Sequence, residues 1–323
     1  MAAFDVFNGD ADGLCALHQL RLDEPLEAQL VTGTKRDNRL LGRVAASAGD
    51  AVTVCDIALR ANREALIDLL ERGVAVRYFD HHVPGDVPNY ALFQAYIDTA
   101  PEVCTSVIVD RLLQGRYRAW AVVGAFGDNL ASTATQLAAT LDVSARALVQ
   151  WRELGECLNY NAYGESEADL FIAPAALYRL LQCYREPQAF IDNESVFRAL
   201  GDGRAEDMAK ARASPFEAQN RGAKVHILPE GAWARRVMGS FANALAQEDP
   251  RRAHAVLVPN GRGGFAVSLR VPRGGVPNAH DFCRDFGGGG RGLAAGVNHL
   301  AEADVARFVN VLLSSFNDVG GKP

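Results

Sequence analysis

A row of short apolar runs, several of which stop on an acid, constrains this chain more than any other feature. FDVF, AQLVTG, AVTVCDIA, VAVRYFD and ALFQAYID read as strands, because each is four to eight residues long and rich in Val, Phe and Tyr. Between and after them GLCALHQLRL, ANREALIDLLERG and EVCTSVIVDRLLQG carry apolar residues at helical spacing. Alternation of this kind calls for a largely parallel sheet covered by helices. A ligand site on such a sheet lies beyond the carboxyl ends of its strands, where helix N-termini also point.

The acids fall at those ends. NGDADGLCAL places Asp10 and Asp12 just after FDVF, Asp56 follows AVTVC, and Asp80 follows VAVRYF and leads Asp80-His81-His82. Asp128 follows the apolar AVVGAFG, expected as a further run ending in a charge. Taken alone, Asp and Gly in NGDADG are also ordinary turn chemistry. Taken together, the acids should converge on one edge of the sheet, and four carboxylates in one place repel unless cations lie among them. Carboxylates with an imidazole and no thiolate suit a hard or borderline ion, Mn²⁺ or Mg²⁺. Two such ions roughly 3.5–4 Å apart would activate a water and neutralise charge on phosphate oxygens.

Residues 131–186 read as mostly helical, and a charged stretch near GDGRAEDMAKARASPFEAQNRG reads as a connector containing a helix. The expected division is a first domain over 1–186, a linker over 187–221 and a smaller α/β domain over 222–323. In the last of these KVHILP, AHAVLVP and GFAVSLRVP read as strands and WARRVMGSFANALAQ as a helix. Gly287 to Gly290 would let backbone N–H groups approach a phosphate, and Ala294-Ala295-Gly296 is expected to open a helix there. The run also matches G-x-G-x-x-G, but no βαβ unit precedes it. From 251 to 296 seven Arg stand against two Asp, a local balance of +5 that suits an anionic ligand. Arg270 and Arg291 are the candidate phosphate or base contacts, because a guanidinium offers bidentate geometry. Phe265, Phe282 and Phe286 fit core packing better than base stacking.

DADG, a lone Asp after a third strand, Asp-His-His after a fourth and GDN further on resemble the four ordered motifs of the DHH phosphoesterase family. AVSLRV with GGGGRGLAAG resembles its DHHA1 substrate-binding domain. The resemblance implies an N-terminal parallel-sheet DHH domain joined by a helical linker to the DHHA1 domain, with the active site in the cleft between them. It implies that Asp10 and Asp56 hold one metal ion and that Asp12, Asp56, His81 and Asp128 hold the other, with Asp56 bridging. His82 would meet the scissile phosphate, Asp80 would orient a histidine, and Gly288, Gly289, Gly290, Arg270 and Arg291 would bind substrate. Two departures stand out. Val6 occupies the place where many members carry a histidine, which leaves the first metal site weaker or completed by Asn8 or water, and Arg291 replaces the histidine usual in the glycine box.

The activity implied is a metal-dependent phosphodiesterase or phosphatase acting on short nucleotides or oligonucleotides, as in the nanoRNase and pAp-phosphatase branch. The rivals are a RecJ-like single-strand exonuclease, a polyphosphate or pyrophosphate hydrolase, and a nucleotide sensor without catalysis. A net charge of −6 argues against a chain that coats long nucleic acid. Neither a signal peptide nor an apolar run of spanning length is visible, and six cysteines lack any C-x-x-C pair. These point to a cytoplasmic protein with reduced thiols and no membrane contact, for which a homodimer is compatible.

Overall fold

The computed structural model describes residues 1–317, which fall into two compact units, Met1–Gly201 and Asp202 onward. The first unit runs β1 (Ala3–Asn8), α1 (Ala11–Asp23), β2 (Gln29–Gly33), β3 (Ala51–Cys55), α2 (Leu59–Glu71), β4 (Ala75–Asp80) and β5 (Phe93–Ile97). It continues through α3 (Thr105–Leu112), α4 (Arg118–Gly127), α5 (Ala131–Ala138), α6 (Ala145–Ala162), α7 (Pro174–Leu181) and α8 (Pro187–Asn193). The helix α9 (Ser195–Ala213) crosses the division between the units.

All five strands are parallel, in the order β2-β1-β3-β4-β5. Alternate residues of the central strands enter different cores. Val6, Val54 and Tyr78 pack with Leu66 and Leu69 of α2, while Phe7, Cys55 and Phe79 pack under α1, α3 and α4. A sheet buried on both faces explains why these strands read as near-continuous apolar runs. The helix α1 is itself buried from Ala11 to Arg21, and its GLCALHQL run accordingly has no polar stripe. Arg21, near its end, meets Asp5 and Thr53 and neutralises the one acid inside β1.

AVVGAFG, the apolar run that ends in Asp128, is not a further strand of the sheet but most of α4, buried from Ala119 to Gly127. A helix hydrophobic all round cannot be told from a buried strand by periodicity. Its glycines show why the helix form wins here. A Cβ on Gly127 would lie 2.2 Å from Ala11 Cβ, so α4 and α1 can touch only through glycine.

The second unit holds β6 (Ala218–Gln219), β7 (Ala223–Ile227), α10 (Ala232–Glu248), β8 (Ala253–Asn260), β9 (Gly264–Arg270), α11 (Ala279–Arg284), β10 (Gly289–Gly290), β11 (Ala294–Ala301) and α12 (Val305–Ser315). Its six-stranded sheet has the order β10-β11-β9-β8-β7-β6, with only β7 and β8 parallel. Phe282 is core, packed on Phe308 and Phe286. Ala294-Ala295-Gly296 opens no helix: it starts β11, paired with β9 at Ala294↔Arg270 and Gly296↔Ser268. The expected anion-binding helix end is therefore absent at that position.

Candidate metal centre

The strand order reverses between β1 and β3, and the crevice of an open parallel sheet forms at such a reversal. Asp10 leaves β1, Asp56 leaves β3, and Asp80 ends β4 with His81 and His82 following. Asp128 reaches the same place from another direction, as the residue that ends α4. All the acids expected at the site, and both histidines, thus come together in the first unit.

Local chemistry fixes each one. Asp10 caps α1, its Oδ1 accepting the N–H groups of Asp12 and Gly13 at 3.1 Å each. The turn needs Gly13, because a Cβ there would lie 2.3 Å from Asn8 O. Asp12 reaches across to α3, where its two oxygens accept from Thr105 N at 2.7 Å and Ser106 N at 2.8 Å. Asp56 adopts φ 61, a left-handed conformation uncommon outside glycine. Its N–H donates to Phe79 O at 2.9 Å, and its carboxylate accepts from Thr105 Oγ1 at 3.2 Å.

The two imidazoles are oriented differently. His81 Nδ1 lies 3.0 Å from Val103 O, so Nδ1 carries the proton and donates. In the neutral ring Nε2 then presents a lone pair 3.3 Å from Asp56 Oδ1 and 4.0 Å from Asp12 Oδ2. A lone pair facing carboxylates is repulsive unless a proton or a metal ion stands between them. His82 Nδ1 sits 2.7 Å from Asp80 Oδ1, which also accepts the N–H groups of His81 and His82. Asp80 is thus the fixed partner that orients His82, leaving Nε2 as the ring's second polar atom. The His81 side chain is 4% exposed and that of His82 44%, so of the two rings His82 is the one open to solvent.

The carboxylates and imidazoles of the cluster perturb one another strongly. Burial, then the charges of Asp10 and Asp12, push the Asp56 carboxyl well above the usual range. Burial would pull His81 down, but the Asp56 hydrogen bond and the charges of Asp128, Asp56 and Asp12 hold it at about 10. Burial would raise Asp10 as well, yet its carboxyl is lowered because the Lys35 ammonium sits on Oδ2. Two sets of three ligand atoms, each within 4.8 Å of one another, stand among the described residues: Asp56, His81 and His82, and Asp12, His81 and Asp128. Buried carboxylates around an imidazole nitrogen with a fixed lone pair fit a divalent cation of the Mn²⁺ or Mg²⁺ type.

Lys35 is the residue that sequence reasoning missed. It follows β2, next to β1 in the sheet, and its backbone N–H donates to Ala162 O at the end of α6. The signal lay in VTGTK, a strand-like run that ends near a cation rather than an acid. Asn8, the suggested substitute ligand, uses Oδ1 to accept Asp10 N at 3.3 Å, and Val6 is buried in the sheet.

The remaining candidates belong to the second unit. Arg270 is tied within it, donating to Asn243 Oδ1 at 2.6 Å, Ser268 Oγ at 3.1 Å and Leu269 O at 2.9 Å. Gly289 and Gly290 pair with Gly296 and Ala295, and a Cβ on Gly288 would lie 2.2 Å from Gly296 O. Arg291 is exposed at the turn after β10, its N–H donating to Ala294 O. Part of the basic surplus is matched locally, as Arg284 pairs with Asp281 and Arg252 with Asp249.

No protein-family model matches the sequence, and neither does any curated protein. Solved structures do match. An exonuclease RecJ bound to manganese is 19% identical with a TM-score of 0.57, the match covering 97% of this chain and 90% of RecJ. The pGpG-specific phosphodiesterase PggH of Vibrio cholerae is 13% identical with a TM-score of 0.55, over 98% of this chain and 99% of PggH. The fold is that of the DHH/DHHA1 phosphoesterases. RecJ of Thermus thermophilus in complex with Mn²⁺ gives 18% identity and a TM-score of 0.60, and there the match covers 97% of this chain but 51% of the longer RecJ.

Proposed function

We propose that the protein is a metal-dependent phosphoric ester hydrolase acting on short nucleotides or oligonucleotides. The observation that carries this reading is the meeting of two ligand triads at the β1/β3 reversal, Asp12 with His81 and Asp128 and Asp56 with His81 and His82, with His81 Nε2 turned into the carboxylates. Asp10, Asp12, Asp56, His81 and Asp128 would hold the ions, Mn²⁺ by preference. Divalent cations there supply Lewis acidity, easing deprotonation of water and offsetting the charge that develops on phosphate oxygens.

The chain's own groups do the rest. Val103 O fixes the His81 tautomer, which keeps Nε2 available as a ligand. Asp80 holds the exposed His82 with its Nδ1–H bonded, so that Nε2 can meet a phosphate oxygen of the substrate. The N–H groups of Thr105 and Ser106 grip Asp12 and keep its position independent of ligand. In the second unit, the exposed Arg291 is the proposed phosphate contact. Arg270, already bonded three ways, would serve by shaping the sheet around it.

The two neighbours differ in activity: RecJ is an exonuclease, and PggH is a phosphodiesterase specific for the dinucleotide pGpG. A net charge of −6 favours the small substrate here. The test is a series from di- to decanucleotides with Mn²⁺. A fall in kcat/KM of about tenfold or more along the series supports the short-substrate reading, and a rise with length favours a strand exonuclease instead.

A further inference from the structure

Asp10 lies among the same carboxylates as Asp12 and Asp56, yet it belongs to neither set of converging ligand atoms. Its Oδ1 is taken by the first turn of α1 and its Oδ2 by Lys35 Nζ. The lysine is held for that contact. Nζ donates to Asn159 Oδ1 of α6 at 3.0 Å, lies 3.9 Å from Asp128 Oδ1, and sits 5.7 Å from the centre of the Tyr163 ring. The side chain is 24% exposed, and its backbone is pinned to Ala162 O. Asp10 and Asp56 are the two carboxylates that would define a first metal site, and Val6 gives that site no imidazole.

We propose that Lys35 is a built-in cation which occupies the Asp10 side of the cluster, so that the resting protein binds one divalent ion tightly and a second only weakly. This rests on the metal-centre reading above. The tight site is built on the converging Asp12, His81 and Asp128, with Asp56 Oδ1 3.3 Å from His81 Nε2 beside them. An ammonium already bonded to Asp10 offsets part of the negative charge and repels a second cation placed between Asp10 and Asp56. Asn159 and Tyr163 make Lys35 a fixture of the site, since they hold the head group by a hydrogen bond and a ring face.

The experiment titrates Mn²⁺ alone into the metal-stripped full chain, followed by calorimetry and by electron paramagnetic resonance. For the wild type we expect one tightly bound ion, a mononuclear spectrum at one equivalent, and a second ion at least about tenfold weaker. In Lys35→Met the second ion should tighten by about tenfold or more and a spin-coupled pair should appear at two equivalents. Lys35→Arg should keep the wild-type pattern, and Asn159→Ala, which loosens Lys35, should move part of the way towards Lys35→Met. Two ions of equal affinity in the wild type, or a folded Lys35→Met with an unchanged second site, would overturn the role of Lys35 and leave the metal centre standing. If neither the wild type nor any variant binds Mn²⁺, the metal-centre reading falls, and the role of Lys35 with it.

Discussion

Asp56 stands where an aspartate is disfavoured twice, once by its left-handed backbone and once by a buried carboxyl facing other acids. Such strain persists when the position does work that another residue type would not. Asp56→Ala should be the most damaging single change among the proposed ligands, cutting the rate by about a hundredfold or more, and steady-state rates beside Asp128→Ala check the ranking. A second residue sets a pH limit. His18 donates from Nε2 to Tyr184 O, and its buried Nδ1 has no hydrogen-bond partner. Burial lowers this histidine to about 4 against an unfolded value of 6.5. A depressed pKa means that the contribution is complete above pH 6.5 and is lost as pH falls towards 4, by up to about 3 kcal/mol. Urea unfolding at pH 7 and pH 4.5 should show a smaller acid loss for His18→Phe than for the wild type. At this scale the acids were legible because each follows an apolar run. Lys35 was not, because its partner is set by β2 lying beside β1, a pairing that no local pattern displays.

The element scale shows where periodicity runs out. The strands β1, β3 and β4 were legible because a buried parallel strand is short, branched and apolar. AVVGAFG has the same composition but is held as α4 by contacts of Gly124 and Gly127 with other helices, which lie far away in sequence. Ala294-Ala295-Gly296 reads helical by its small residues, yet β9 offers it an open edge, and the ladder decides. The start of α3 is a similar case. Cys104 makes no side-chain cap, and the carboxylate of Asp12, over ninety positions earlier, serves instead. Asp12→Ala should therefore lower the stability of the metal-free protein by about 2 kcal/mol, because two buried N–H groups lose their acceptor. Asp56→Asn should raise it, as asparagine tolerates the left-handed backbone and removes a crowded charge. Thermal melts in chelator separate the two, and a stabilised Asp12→Ala would show that charge relief outweighs the cap.

For the whole molecule, the five apolar runs foretold a largely parallel sheet covered by helices, but not the strand order or its reversal between β1 and β3, which no local pattern carries. The second unit was legible as α/β but not as a mixed sheet, because antiparallel ladders with two-residue strands such as β10 leave almost no local trace. No helix among the described residues is long and apolar enough to cross a membrane. If Arg291 grips a substrate phosphate, Arg291→Ala should raise KM for nucleotides by about ten- to a hundredfold. Metal content, and the rate on a small aryl phosphodiester, should then be unchanged; equal losses on both substrates would instead mark a structural residue. The central claim is that the acids and histidines at the β1/β3 reversal hydrolyse phosphodiesters through bound divalent cations. The most direct measurement is turnover of a dinucleotide by the full chain with Mn²⁺, after chelation, and after Mn²⁺ is restored. The account predicts activity that disappears in excess chelator and returns with the metal, and full turnover in excess chelator would contradict it.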